Sequence, residues 1–342
     1  MNPPRTLRRR LTGLLLALVL LPAASGCGDD GPEAAEGGDR AVKFGYIADY
    51  SGAAALAVAE RQGLWDKAGI EPELKVFTNG PLQVQALDGG DLDFGYLGPG
   101  ALWMPASGRA AIVAVNMLGH ADRVIARPDT GITGPADLKG KKVAVPEGTS
   151  GEMILNLALR EAGLAPDDVE KVRMDPSTVV TAFSSGQVEA AAIWYPLVDT
   201  IEVKVPDLVE VSSTTDYYPE QTFPNVFVAR PQIAEEDPEL AREVTGVLKA
   251  AGDWIAAHPE ESEKVTAEFL DLPPEQLAGS TEHVEVLTSA KLTKLTEDGT
   301  VAGWFDELAG LFEEMGTLPE PGKAEDYYLG DLYTSAGKGE HR

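Results

Sequence analysis

Residues 147–152, Glu147-Gly148-Thr149-Ser150-Gly151-Glu152, are the stretch of this chain best suited to hold an anion. A strand-like run, 142–145, leads into small residues, and a helix-like segment leaves them. Free backbone N–H groups and the positive end of a helix therefore gather at one point. Sulfonate, carboxylate or phosphate-like oxygens can be held there without a cationic side chain, with Thr149, Ser150 and Gly151 as the contacts. Thr149 and Glu152 also spell a capping box, each accepting a backbone N–H, so a purely capping role is the competing reading. Gly98-Pro99-Gly100 follows a second strand-like run, 93–96. It lacks the Gly-Lys-Ser/Thr ending of a phosphate loop, and its small residues either admit a ligand to the backbone or make a tight turn. Tyr46, Asp49 and Tyr50 follow the first strand; Asp49 suits a ligand amine, or the cap of a helix starting at Ser51. Asn116 and Asn225 read as polar contacts or as turn residues, and Trp103 and Phe223 as narrowing a cleft or as core.

Catalytic chemistry has little to work with here. The four histidines, His120, His258, His283 and His341, are scattered without metal-ligand spacing, and neither HExxH nor CxxC occurs. Ser107-Gly108 and Ser150-Gly151 lack the preceding glycine of a nucleophile elbow. The expectation is a binding protein without metal or cofactor.

Alternating strand and helix patterns position these loops. A strand at 42–47, a helix at 53–67, a stop at Gly69 and a strand at 73–77 are echoed by a helix at 153–160, a stop at Gly163 and a strand at 171–174. A closer echo pairs 86–93 with 182–189: a helix end, a glycine, an apolar–acidic pair, then a strand. Such recurrence predicts an α/β protein of two similar lobes with parallel sheets. Two stretches ending in Ala-Arg-Pro, 124–128 and 226–231, are extended before their prolines and read as the crossings between lobes. Lobe 1 is then 41–128 with 229–342, and lobe 2 is 129–228. From Pro238 onward the pattern is helical. Ligands of open α/β sheets bind beyond the carboxyl ends of the strands, which points to the loops at 48–52, 97–101, 116–118, 147–151, 194–196 and 223–225.

The N-terminus carries its own message. Arg5, Arg8, Arg9 and Arg10 precede an apolar run at 11–21 and the small residues Ala23, Ala24, Ser25 and Gly26, which lead to Cys27, the only cysteine of the 342 residues. The apolar run is too short for a bilayer span and reads as an export signal. The stretch 24–27 resembles a bacterial lipobox, with Ala24 in place of the usual leucine. Residues 1–26 are expected to be a lipoprotein signal peptide, Cys27 the lipidated residue, and 27–40 a flexible tether rich in Gly, Asp and Glu. Loss of the four arginines takes the net charge from −27 to −31. That balance disfavours nucleic acid and anionic lipid surfaces as partners and leaves membrane attachment to the anchor. With Cys27 lipidated, neither a disulfide nor a catalytic thiol remains.

Three segments, ALDGGDLDFGYLG (86–98), ADLKGKKVAVPEGTSGEMIL (136–155) and AFSSGQVEAAAIWYP (182–196), resemble extracytoplasmic solute-binding proteins of ABC importers. The resemblance is to the branch of sulfonate, taurine and nitrate binders and of NMT1/THI5-like proteins. It implies a two-lobed periplasmic-binding-protein fold (type II-like) with two hinge crossings, closing on a ligand in the interlobe cleft. It further implies that the 147–151 loop takes the ligand's acidic head and that Trp194 and Tyr195 form an aromatic wall, a core tryptophan being the other reading. The implied partners are a small-molecule ligand, an ABC permease and its ATPase, for a monomer tethered to the outer face of the cell membrane. A small sulfonate, taurine or an alkanesulfonate, is the expected ligand, ahead of a pyrimidine-type heterocycle and then nitrate. A non-transport sensor lipoprotein of the same fold is the alternative role.

Overall fold

The computed structural model describes residues Arg40–Gly337. The expected export signal, Cys27 and the expected tether up to residue 39 lie outside the described residues, as does His341. Two sheets organise the chain. The first strand, β1 (Arg40–Ile47), is followed by α1 (Tyr50–Arg61), β2 (Ile70–Phe77), α2 (Gly80–Asp88), β3 (Phe94–Leu97) and β4 (Ala111–Gly119). The second sheet receives β5 (Asp122–Ala126), β6 (Lys142–Val145), β7 (Glu170–Arg173), β8 (Ala190–Trp194) and β9 (Val209–Ser213). Between β6 and β8 lie α3 (Ser150–Glu161) and α4 (Pro176–Ser184). The chain then returns to the first sheet through β10 (Pro224–Ala229), and α5 (Pro238–Ala257) and α6 (Pro259–Phe269) pack on α1 before the short β11 (Val284–Glu285). Among the described residues no helix is long and apolar enough to cross a membrane.

The sheets run β11-β4-β10-β3-β1-β2 and β7-β6-β8-β5-β9. Each has a central strand, β1 or β6, flanked by two parallel neighbours, and then one antiparallel strand, β10 or β5. That antiparallel strand is in both cases the first one laid down after the chain arrives from the other sheet. The strands β3, β4, β5, β8 and β10 are buried along their whole length, as expected of sheets covered on both faces.

The echo between 86–93 and 182–189 has a physical basis. Asp93 and Glu189, its two acids, each stand just before the strand flanking a central strand. The carboxylate of Asp93 accepts the N–H of Lys43 in β1 at 3.0 Å, and that of Glu189 accepts the N–H of Lys142 in β6 at 2.9 Å. The backbone carbonyls of the same two residues accept from Arg230 and Arg127, at 2.9 and 3.0 Å. Each acid thus ties its own strand to the central strand by its side chain and to the incoming antiparallel strand by its backbone.

This arrangement corrects the expected crossings. The stretches ending in Ala-Arg-Pro are the ends of β5 and β10, strands paired on both sides within sheets, and not connections between lobes. The chain leaves the first sheet at Gly119 and joins the second at Asp122, then leaves the second at Ser213 and rejoins the first at Pro224. A strand that completes a neighbour's sheet carries the same apolar, proline-terminated text as a linker would, and only its pairing distinguishes the two.

Gly151, expected at the ligand, instead lets α3 approach β8. A Cβ at this position would lie 2.7 Å from the Ala192 carbonyl oxygen and 3.3 Å from Pro146. Gly151→Ala is therefore expected to destabilise the fold by about 1–3 kcal/mol, the usual range for overpacking, as read by thermal or denaturant unfolding. An unchanged midpoint would show that α3 can shift outward freely.

Candidate functional site

The carboxyl ends of β1, β3, β6 and β8 converge on one cavity between the lobes. Asp49, Ser51, Tyr96, Gly98 and Pro99 line it from the first lobe, Thr149, Ser150, Trp194 and Tyr195 from the second, and Asp122 and Asn225 from beside the crossings. It is small, about 40 Å³ of space for the centre of a water-sized sphere.

The lobes meet backbone to backbone over this space. A Cβ on Gly100 would fall 2.3 Å from the amide nitrogen of Ser150 and from the carbonyl of Thr149, so only glycine permits the approach. Two tryptophans cross the same gap. Trp103 donates its indole N–H to the Gly148 carbonyl at 3.4 Å, and Trp194 donates to Asp49 Oδ2 at 3.2 Å.

Asp49 is the N-cap of α1, where Oδ1 accepts the Gly52 N–H at 2.8 Å. Burial raises its pKa to about 7 despite the Gly52 and Trp194 hydrogen bonds, and the nearby Asp122 adds to the rise. Asp122, the first residue of β5, is 3 % exposed, and its Oδ1 has no hydrogen-bond partner. Burial raises its pKa to about 6, against the lowering influence of the Ser150 hydroxyl and the Arg123 guanidinium. Arg123 itself is turned away from the cavity, to Glu210 at 2.7 Å and the His120 carbonyl at 2.7 Å, with its guanidinium 5.2 Å from the centre of the Tyr195 ring. Tyr96 donates its hydroxyl to Asn225 Oδ1 at 2.6 Å, and Asn225 Nδ2 donates to the Met117 carbonyl at 3.4 Å. Among the described residues no lysine, arginine or histidine lines this cavity.

The helix-end loop differs from its expected cap. Thr149 is the N-cap residue of α3, but its hydroxyl donates back to the Pro146 carbonyl at 2.7 Å and caps no N–H. Glu152 accepts from Gly148, one residue earlier than a capping box requires, at 2.8 Å. The capping box is not formed, because Gly148 with its φ of 70° turns its own N–H towards Glu152.

Of the expected site residues, Asp49, Gly98, Pro99, Thr149, Ser150, Trp194, Tyr195 and Asn225 are brought together at the cavity, and Tyr46, Tyr50, Asn116 and Gly151 are not. Tyr46 packs its ring on Phe269, with centroids 5.6 Å apart. Tyr50 is tied by its hydroxyl to Ser262 in α6 at 2.6 Å. Asn116 donates to the Ser51 carbonyl at 2.7 Å and so braces the β1–α1 loop from behind. Tyr46 and Asn116 lie in strands whose pleat sends them to the other face, whereas Tyr50 opens α1 and turns towards α6. Phe223 is buried beside a crossing, where its carbonyl accepts the Gly119 N–H. Tyr96 and Asp122 line the cavity from outside the expected contacts, and Ser51 does so from within the expected 48–52 loop. The sequence signal for Asp122 is an acid–arginine pair, Asp122-Arg123, leading into the apolar run Val124-Ile125-Ala126.

This two-lobed, two-sheet geometry matches known proteins. Residues 51–262 match the NMT1/THI5-like family. A Brucella abortus protein, named only as a candidate binding protein, is 48% identical over 96% of this chain and 99% of its own length. The chain belongs to the NMT1/THI5-like family. The taurine-binding periplasmic protein of Escherichia coli is 27% identical, over 82% of this chain and 89% of its own. Among solved structures, the periplasmic aliphatic sulphonate binding protein SsuA of E. coli superposes with a TM-score of 0.66 at 24% identity, covering 86% of this chain and 99% of that one. The same fold also carries an enzyme: the desulfurization enzyme DSZB superposes with a TM-score of 0.62 at 17% identity, over 87% and 98%. Membership of the NMT1/THI5-like family therefore fixes the two-lobed architecture, and the residues of the cavity must decide its use.

Two outcomes follow from this geometry. Both carboxylates hold their protons to higher pH in the folded protein than the ordinary value of 3.8. Between about pH 4 and 7 the native state thus binds more protons than the unfolded chain, and its stability falls as pH rises. In ligand-free protein, the difference in melting temperature between wild type and an Asp49→Asn/Asp122→Asn variant is expected to decline across that window; a flat difference would contradict the burial. Gly100→Ala is expected to lower ligand affinity about 5- to 150-fold, because roughly 1–3 kcal/mol of overpacking falls on the closed arrangement alone. Affinity equal to wild type would show that the lobes need not approach this closely.

Proposed function

We propose that this protein is the substrate-binding component of an ABC importer, tethered as a monomer to the outer face of the cell membrane by lipid on Cys27. Its ligand in this reading is a small sulfonate, captured without chemical change. One observation carries the capture reading: two lobes meet backbone to backbone over a small cavity at the strand ends. Closure that excludes water serves binding by differential affinity for the closed state. The first turn of α3 supports the sulfonate, since the Thr149 hydroxyl is engaged elsewhere and leaves the first amides of the helix to a ligand. The names of the taurine and sulphonate relatives agree with that choice. A pyrimidine-type heterocycle is the second reading, favoured by the Trp194 and Tyr195 rings at the cavity wall. The permease and its ATPase are the partners that a receptor of this kind serves.

Thermal unfolding against taurine, alkanesulfonates, nitrate and pyrimidines tests the ligand. At about 1,000 times its dissociation constant a ligand adds ~4 kcal/mol. The midpoint should then rise by about 8–16 °C with sulfonates. A rise with pyrimidines alone would replace the ligand and keep the role. Ser150→Phe should abolish the sulfonate response while the ligand-free midpoint stays close to wild type; an undiminished response would remove the helix end from the site. For the anchor, Cys27→Ala should eliminate fatty-acid labelling of the exported protein, and persistent labelling would exclude Cys27 as the lipidated residue.

A further inference from the structure

Resting on the reading of the cavity as the receptor's ligand site, we infer that His283 is a positioning residue for that site: its neutral imidazole, stacked on Tyr195, latches the two lobes together, and acid releases the latch. His283 stands just before β11, which pairs with β4 in the first sheet, whereas Tyr195 follows β8 in the second. Their rings lie nearly parallel across the gap, with centroids 3.9 Å apart and planes 10° apart. Tyr195 lines the ligand cavity, and with His283 it also lines a second cavity, which shares Ser51 and Ala121 with the first. The His283 carbonyl accepts the N–H of His120 at 2.8 Å, so the segment carrying the latch is fastened to the crossing itself. The crossing and the cavity wall thus meet at one imidazole.

The surroundings of this imidazole disfavour a positive charge on it. Arg123 from β5 has its guanidinium carbon 5.2 Å from the centre of the Tyr195 ring, so that ring already serves one cation. His120 approaches from the crossing, its Nδ1 buried without a hydrogen-bond partner and its ring edge-on to Tyr218 at 5.1 Å. The nearby acids are Glu282 on the same segment, Asp199 of the helix at 197–202, Glu285 beside Tyr218, and Glu210, which is held by Arg123. Burial lowers the His283 pKa most and Arg123 next; Glu282 raises it, and His120 lowers it again. Burial also lowers the pKa of His120, against Glu285. A group whose pKa is depressed in the closed arrangement binds fewer protons there than when the lobes part. Falling pH therefore shifts the balance towards the open arrangement. Asp49 and Asp122, with raised values, act in the opposite sense over the same range, so the contribution of the latch is the difference between wild type and a variant without it.

Taurine and ethanesulfonate keep their charge between about pH 5.5 and 8, so a change in their binding over that range belongs to the protein. Calorimetry on the purified full chain should show the dissociation constant rising, as pH falls, at least about fivefold more in wild type than in His283→Phe. His283→Phe keeps an aromatic ring for Tyr195 but cannot take up a proton. His283→Ala lacks the ring and should bind more weakly than His283→Phe at the higher pH. Equal pH profiles for wild type and His283→Phe, or equal affinities of the Phe and Ala variants, would overturn the latch. A second measurement needs no ligand: followed by NMR, the His283 imidazole should titrate below its ordinary 6.5 and move up towards it in Tyr195→Ala. Titration at or above 6.5 in wild type would also overturn the latch. If neither sulfonate binds at any pH, the sulfonate reading falls and this titration decides the latch alone, as it does if His283→Phe fails to fold.

Discussion

A single buried carboxylate, that of Asp49, joins the parts of this molecule that matter for its use. One oxygen satisfies the first turn of α1 and so fixes how β1 turns into that helix. The other accepts the indole of Trp194, which belongs to the second sheet. A charge in this position is disfavoured by burial, and only groups from both lobes together can satisfy it. The closed arrangement and the local fold of the first lobe are thus secured by the same side chain. The cavity lies directly against it.

Around this carboxylate the fold repeats one solution twice. Each sheet is built on a central parallel strand with an acid clamping the strand beside it, and each is completed by an antiparallel strand arriving from the other lobe. Completing a sheet with a strand from across the gap keeps the connections short, and it places Asp122 and Asn225 beside the crossings at the cavity. The residues nearest a hinge are thereby also residues of the site.

The electrostatics of the cavity sharpen what the family relationship leaves broad. An outer surface with a net charge of −27 says nothing on its own about the ligand, since a closed site is insulated from it. Inside, the balance is between the positive end of a helix and two acids with no side-chain cation among the described residues.

Much was legible in the sequence because it depends on local physics. The alternation of strand and helix, the glycine stops at Gly69 and Gly163, and the repeated acidic pairs follow from backbone preferences over a few residues. They yield the α/β class, two similar lobes and several loops that line the cavity, including Asp49, Ser150, Trp194 and Asn225. What the sequence could not decide were relations between distant residues. Whether 124–128 was a linker or a strand depended on pairing with β8 and β9. Whether Tyr46, Tyr50 and Asn116 faced the cavity depended on the pleat and on the later helices α5 and α6 that cover the first lobe. Gly100 and Gly151 looked like turn or ligand residues, and only packing shows that each is there because another backbone passes within contact of it. Asp122 reaches the cavity only because the chain crosses between sheets there, and its burial is a property of the space around the side chain and not of its neighbours in sequence.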